Sequence, residues 1–425
     1  MNRRAFLAFS GRTMTVALAA SAARTKRLTA LELSQSLPDR LEQRVAAAIQ
    51  AYDAQGNHRT GTEVDKASAE WLADQVHQAG AQPSLEAFNL SRIDPQSCYM
   101  RIADRRIDGV PLFDAAFTGP EGVRGRLGAI GSEVEIGLAE TTPFNLTDPG
   151  MVQHQVVAAR HSQHKAVLLL TRGTRPGLFL LNASAFTKPF GPPMLQVSSV
   201  ESERLKAQAG RRAETTLVAH VKRTAARGLN VTATIAGSNP TLAPIVLMAP
   251  RSGWWQCASE QGSRLACWLE AMRVLAVGKP ARDCFFVALS GHELGYLGIE
   301  AYLESRRDLI TRAHAWVFLG SSIGEPHQVN RIHASDDVLE QWLVAAMNKE
   351  GLAVDGKAPR KSLARGETGV VQRGGGRFVT LACDSDVYHN VADRWPEAVD
   401  VSLLSRYASA LANGMLELAN QGSSP

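Results

Sequence analysis

Apolar positions change their spacing twice along this chain. Between residues 41 and 90 they recur at helical intervals, with Ala67, Trp71, Leu72, Val76 and Ala79 on one stripe and Gly80 after it, which predicts an amphipathic helix stopped at a glycine. A short strand over 85–90 follows. From residue 92 to 227 the runs shorten to 123–130, 166–170, 177–181, 194–197 and 215–221, separated by Gly and Pro, the texture of a small β-rich domain. Its one helical stretch is 201–209. Beyond 229, apolar strand-like runs (231–235, 244–249, 284–289, 315–319, 378–381) alternate with helical patterns (263–275, 294–305, 336–349, 399–417). That alternation predicts an α/β domain, a mostly parallel central sheet flanked by helices. The reading divides the chain into a leader (1–28), a first part of the α/β domain (29–91), an insert (92–227) and the second part of the α/β domain (228–425).

Composition narrows the function classes. The 425 residues are 45% hydrophobic and 20% charged, enough apolar material for a sizeable core. The net charge of +5 comes from dispersed Lys and Arg with no basic run interleaved with aromatics, so no nucleic-acid partner is expected. Asn2-Arg3-Arg4-Ala5-Phe6-Leu7 resembles a twin-arginine export motif. It precedes an Ala-rich stretch to Ala23 with small residues at Ala20, Ser21 and Ala22, predicting a cleaved leader and a periplasmic or secreted protein, against the alternative of a short amphipathic helix. No later run reaches the roughly 18–20 residues that span a bilayer. The cysteines, Cys98, Cys257, Cys267, Cys284 and Cys383, have no metal-type spacing, and Cys267 and Cys284 read as small buried hydrophobes.

The candidate chemistry centres on Ser290-Gly291-His292-Glu293-Leu294-Gly295-Tyr296-Leu297-Gly298, which leaves the apolar run 285–289 and opens a helical pattern. Strand ends of this kind are where open α/β sheets bind ligands. The segment closely resembles the Gly-Glu-Glu-x-Gly-Leu-Leu-Gly motif of the co-catalytic zinc aminopeptidases, in which the first Glu is the general base and the second binds zinc. Here His292 stands at the base position and Glu293 at the ligand position. The resemblance extends to His58-Arg59-Thr60-Gly61-Thr62 before the first helix. It also extends to the insert, where Ala166–Thr171 and the Pro-rich 190–198 look like strands of a protease-associated domain.

Ligand by ligand, the resemblance implies a depleted site. The family's Ala-His-x-Asp becomes Ala249-Pro250-Arg251-Ser252, the Asp that bridges both metals becomes Glu260, the Asp completing the first site becomes Gly320, and the last His is kept as His389 in Tyr388-His389-Asn390-Val391-Ala392-Asp393. Both ligands private to the first metal are gone. Glu260, Glu293 and His389 remain, two carboxylates and an imidazole suited to a single zinc of the kind found in the related glutaminyl cyclases. The implied activity is that of a peptidase-like hydrolase of modified mechanism acting on a peptide or small amide, with His292 as base. The alternatives are a catalytically inactive homologue that binds peptides or a partner, a glutaminyl cyclase-like enzyme, and a metal-free enzyme using Ser252, Cys257 or Ser259 with His292. Arg251 and Arg264 are candidates for a substrate carboxylate, and Trp254 and Trp255 for the pocket wall. Arg373-Gly374-Gly375-Gly376-Arg377 reads as a turn into the strand at 378, with Glu367 ahead of it.

Overall fold

The computed structural model describes residues 30–142, 149–327 and 329–422, so the expected leader lies outside the described residues. Residues 41–425 form one compact unit. Its strands are β1 (Pro83–Ile102), β2 (Arg105–Asp108), β3 (Val110–Pro111), β4 (Val123–Ala129), β5 (Ile136–Thr141), β6 (Ala166–Thr171), β7 (Met194–Ser198), β8 (Glu214–Ile235), β9 (Ile245–Pro250), β10 (Cys284–Leu289), β11 (Ala315–Leu319), β12 (Val329–Ala334), β13 (Gly356–Lys357) and β14 (Phe378–Asp384). They join in the order β13-β12-β14-β11-β9-β10-β8-β4-β5-β6-β7-β3, with β1 on β8 and β2 on β1.

Four parallel strands, β14, β11, β9 and β10, form the centre, bounded by antiparallel β12 and β8. Their near-continuous apolar sequences follow from burial on both faces. Along β9, Ile245, Leu247 and Ala249 join one core cluster while Val246 and Met248 join the other, and β11 divides the same way between Ala315, Val317, Leu319 and Trp316, Phe318. The first face is covered by helices Glu63–Gln78, Ser263–Gly278, Asp337–Lys349 and Val401–Asn420. The second is covered by Leu297–Glu304, Leu309–Arg312 and Thr368–Arg373. Thr62 caps Glu63–Gln78 by accepting the Asp65 N–H, and Gly80, at φ +92°, follows its end, as the apolar stripe predicted.

Two expectations are corrected. The short strand over 85–90 is the start of a 20-residue strand, β1, which pairs antiparallel with the 22-residue β8 from Pro83↔Ala233 to Ile102↔Thr215. Residues 92 and 227 therefore fall inside a continuous ribbon that carries the α/β sheet into the strands β2–β7. Composition changes there because the outer half of the ribbon faces new neighbours, not because the ladder ends. The run 177–181 forms no strand; Phe179 makes a single bridge to Asn390. No described helix is long and apolar enough to cross a membrane.

His58 supplies a pH dependence. It is fully buried, stacked on Tyr52 at 3.6 Å, with Nε2 3.0 Å from the Tyr52 carbonyl, and burial depresses its pKa to about 3. The unfolded chain therefore takes up a proton below pH ~6.5 that the folded protein refuses. Stability from this group is complete above that pH and is lost as pH falls towards 3. His58→Gln is expected to flatten the fall in unfolding free energy between pH 6.5 and 4 by up to about 1.4 kcal/mol per pH unit, measured by denaturant titration; parallel profiles would refute the assignment.

Candidate functional site

The site lies at the carboxyl ends of β9, β10 and β11. Leaving β10, the backbone turns through Gly291 at φ +85°, makes a single 3-10 turn over His292–Leu294 and enters helix Leu297–Glu304. The close return requires Gly298, where a Cβ would stand 2.1 Å from the Ser290 carbonyl oxygen. His292 and Glu293 are thus fixed on a tight strand-to-helix turn, and both are buried.

Adjacent in sequence, the two side chains have different surroundings. His292 Nδ1 lies 2.9 and 3.1 Å from the two carboxylate oxygens of Glu367, a buried residue at the start of helix Thr368–Arg373. Burial alone would lower the His292 pKa, but the Glu367 charge and hydrogen bond outweigh it and raise the pKa. With Nδ1–H donated to Glu367, Nε2 is the nitrogen left to exchange a proton. Glu293 accepts the Thr60 N–H at 2.7 Å and the Ser252 hydroxyl at 2.7 Å. Ser252 Oγ in turn accepts from Gly291 N at 2.8 Å. Glu293 is therefore tied into a buried lattice joining the 58–62 segment to both strand ends.

Arg251 belongs to that lattice. Fully buried, it donates to the Leu229 carbonyl through Nε and Nη2 and to the Asp65 carbonyl through Nη1, and pairs with the Asp65 carboxylate at 2.9 Å. Its donors are spent on the fold, which corrects the expectation that it binds substrate. Trp254, also buried, packs edge-on against Phe113 and donates to Asn182, so it is core between the two halves of the chain. Trp255 donates to the His389 carbonyl at 3.0 Å, holding the backbone of a candidate ligand.

Glu260 and His389 come together. Glu260 sits on a π-helical turn, Ala258–Gly262, ahead of helix Ser263–Gly278, and its Oε1 is 3.4 Å from His389 Nε2. Burial would raise the Glu260 pKa, but His389 first, and then His292 and Arg264, hold it down at about 2. His389 adopts φ +59°, and its Nδ1 donates to the Leu180 carbonyl at 2.5 Å. Glu260 Oε2 and His389 Nε2 are buried without a hydrogen-bond partner. Asp393 receives the N–H groups of Ser259 and Glu260 at 2.6 and 2.9 Å, and burial raises its pKa to about 7. Among the described residues, the one set of three His, Cys, Asp or Glu donors within 4.8 Å of one another is Cys257, Glu260 and Asp393. Glu293 is not gathered with Glu260 and His389 into such a set; its oxygens accept from Thr60 and Ser252.

The first-metal position is closed by packing. Pro250 ends β9 opposite Leu289 and has no metal-binding atom in its side chain. At Gly320 a Cβ would meet the Leu381 carbonyl oxygen at 2.5 Å and the Ala382 Cβ at 2.6 Å, so no Asp side chain fits there. The residues that sequence reasoning left without a firm role are Glu367, Asp393 and Arg264. Glu367 lies 75 positions from His292 and Asp393 lies 133 from Glu260, distances over which no local spacing signals contact.

No protein-family model and no curated protein matches the sequence. Solved structures do. A peptidase M28 precursor from Shewanella amazonensis superposes with a TM-score of 0.71 at 17% identity, covering 92% of this chain and 98% of that one. BSAP, a zinc aminopeptidase from Bacillus subtilis, gives 0.68 at 18% identity over 89% and 93%. An aminopeptidase from Aneurinibacillus sp. strain AM-1 gives 0.68 at 16% over 91% and 96%. The chain has the fold of the zinc aminopeptidases. At these identities the likeness is one of fold.

The zinc that this fold implies can be tested against the donors present. Zinc at ~2.0–2.1 Å from a carboxylate oxygen and an imidazole nitrogen in tetrahedral geometry separates the two donors by roughly 3.4 Å, the spacing of Glu260 and His389. His389 also donates its other ring N–H to a carbonyl, the orientation metal-bound histidines require. Glu260 is common to the 3.4 Å pair with His389 and to the set with Cys257 and Asp393, a set into which His389 is not gathered, so donors of metal-binding type converge on Glu260.

Proposed function

We propose that this protein is a peptidase-like hydrolase of modified mechanism, cleaving a peptide or small amide with at most one divalent metal. The observation that carries the reading is the His292–Glu367 pair: a buried imidazole at the fold's strand-end site, oriented by a carboxylate and raised in pKa, is built to take and return a proton. Glu260 and His389 would hold the metal. A divalent metal, when bound, supplies Lewis-acid polarisation of a carbonyl and charge stabilisation. Asp393 fixes the Glu260 backbone through two N–H bonds, and the Leu180 carbonyl fixes the His389 ring.

The metal-free alternative is poorly served by this geometry. Burial, and then the neighbouring Glu260 and Asp393, push the Cys257 thiol well above its ordinary pKa, away from a thiolate, and the Ser252 hydroxyl is committed to Glu293. A binding-only role draws support from the cover over the site, where the Leu180 and Ala183 N–H groups bond to the carbonyls of His389 and Glu293. The test is turnover of dipeptides and aminoacyl anilides by purified protein with its zinc content measured. Turnover lost in both His292→Gln and Glu260→Gln supports the hydrolase. No turnover across the panel, in zinc-loaded and zinc-free protein alike, overturns it in favour of binding alone. His389→Ala is expected to reduce zinc retention by about tenfold or more; unchanged retention would refute the assigned ligand pair.

A further inference from the structure

Arg264 begins where Glu260 leaves off, one turn along the same helical segment, and it is 1% exposed. Its Nε donates to the Glu260 carbonyl at 2.6 Å, which fixes the plane of the guanidinium, and the group stands 6.0 Å from the centre of the Phe318 ring. Nη1 is buried with no hydrogen-bond partner. A buried guanidinium N–H left unbonded is costly, more so than a neutral donor. Among the described residues no carboxylate lies within salt-bridge distance of Arg264, unlike Arg251, whose every donating nitrogen is engaged by the fold. The two arginines that look equivalent in sequence are therefore different: one is scaffold and the other keeps a donor in reserve beside Glu260, whose Oε2 is also unpaired.

We infer that Arg264 is the anchor for a substrate carboxylate, which makes the substrate class a small amide bearing a free carboxylate, such as a dipeptide or an N-acyl amino acid. This rests on the hydrolase reading above and adds its specificity. The guanidinium supplies charge-assisted hydrogen bonds to the carboxylate, filling the unmet donor. The small size of the ligand follows from burial: Glu260, His292, Arg264 and His389 are all at least nine-tenths buried.

The experiment is calorimetric binding of N-acetyl-leucine against N-acetyl-leucinamide, which differ only in the carboxylate. Wild-type protein is expected to bind the acid about tenfold or more tightly than the amide. Arg264→Met should abolish that preference and Arg264→Lys should keep part of it, with circular dichroism confirming folded protein. Equal affinity for acid and amide in the wild type, binding of neither, or a preference that survives Arg264→Met, overturns the inference. The wild-type comparison stands even if a variant misfolds. Because it reads binding alone, it can fail while hydrolysis of neutral amides persists, or succeed while turnover is absent, so its failure and that of the hydrolase reading are separable.

Discussion

His292→Ala is expected to lower kcat/KM for amide hydrolysis by about 10²–10⁴-fold, the usual contribution of a positioned general base, and to cost stability by stranding the buried Glu367 carboxylate. The expectation follows from how differently the two neighbouring residues are held. Glu293 has both carboxylate oxygens bonded to the fold, through Thr60 and Ser252, whereas among the described residues the His292 ring hydrogen-bonds to Glu367 alone. Removing the imidazole leaves a buried Glu367 carboxylate without its partner, a local cost that His292→Gln lessens by keeping an N–H donor. Both variants should therefore fold and both should lose turnover. If His292→Ala retains activity within a few-fold of wild type, the imidazole is structural and the proton is handled elsewhere.

Arg251→Met is expected to destabilise the protein by about 3–5 kcal/mol, because it strands the Asp65 carboxylate in the interior. Asp65 and Arg251 are both at most 1% exposed. Asp65 also accepts from Gly61 N and the Ser290 hydroxyl, so the pair ties the start of helix Glu63–Gln78 to the ends of β9 and β10. Asp65→Asn should cost a similar amount, and the double variant less than the sum, since each single change strands the other member's charge and the double change strands neither. Denaturant unfolding of the three variants checks this. A change under 1 kcal/mol in Arg251→Met would show that the arginine is dispensable to the fold and reopen a substrate role for it.

Much of the central sheet was legible because its strands are short, apolar and buried on both faces: β10 and β11 match the runs 284–289 and 315–319 to the residue. The long ribbon of β1 and β8 was not, since buried and exposed positions mix irregularly along both strands and the composition shifts midway. At the site, the Glu260–His389 contact was legible from the family's ligand order. The surroundings of Glu293 were not legible: its carboxylate accepts the Thr60 N–H and the Ser252 hydroxyl, partners that no local spacing signals. Glu367 and Asp393 escaped because their partners are distant in sequence and their local context, an acid at a helix start and an acid in a loop, is commonplace. Arg251 and Arg264 could not be told apart without coordinates, since only packing decides which guanidinium has its donors satisfied.

The central claim is that Glu367 holds His292 as a proton acceptor at the site, and the pH profile of kcat/KM in wild type and Glu367→Gln tests it most directly. His292 accepts a proton only when deprotonated, so its raised pKa places the acid limb of the wild-type profile above the ordinary histidine value of about 6.5. Removing the Glu367 charge lowers that pKa, and the acid limb should move to lower pH by about one unit or more. An acid limb that stays in place in Glu367→Gln, with activity otherwise measurable, would contradict the account.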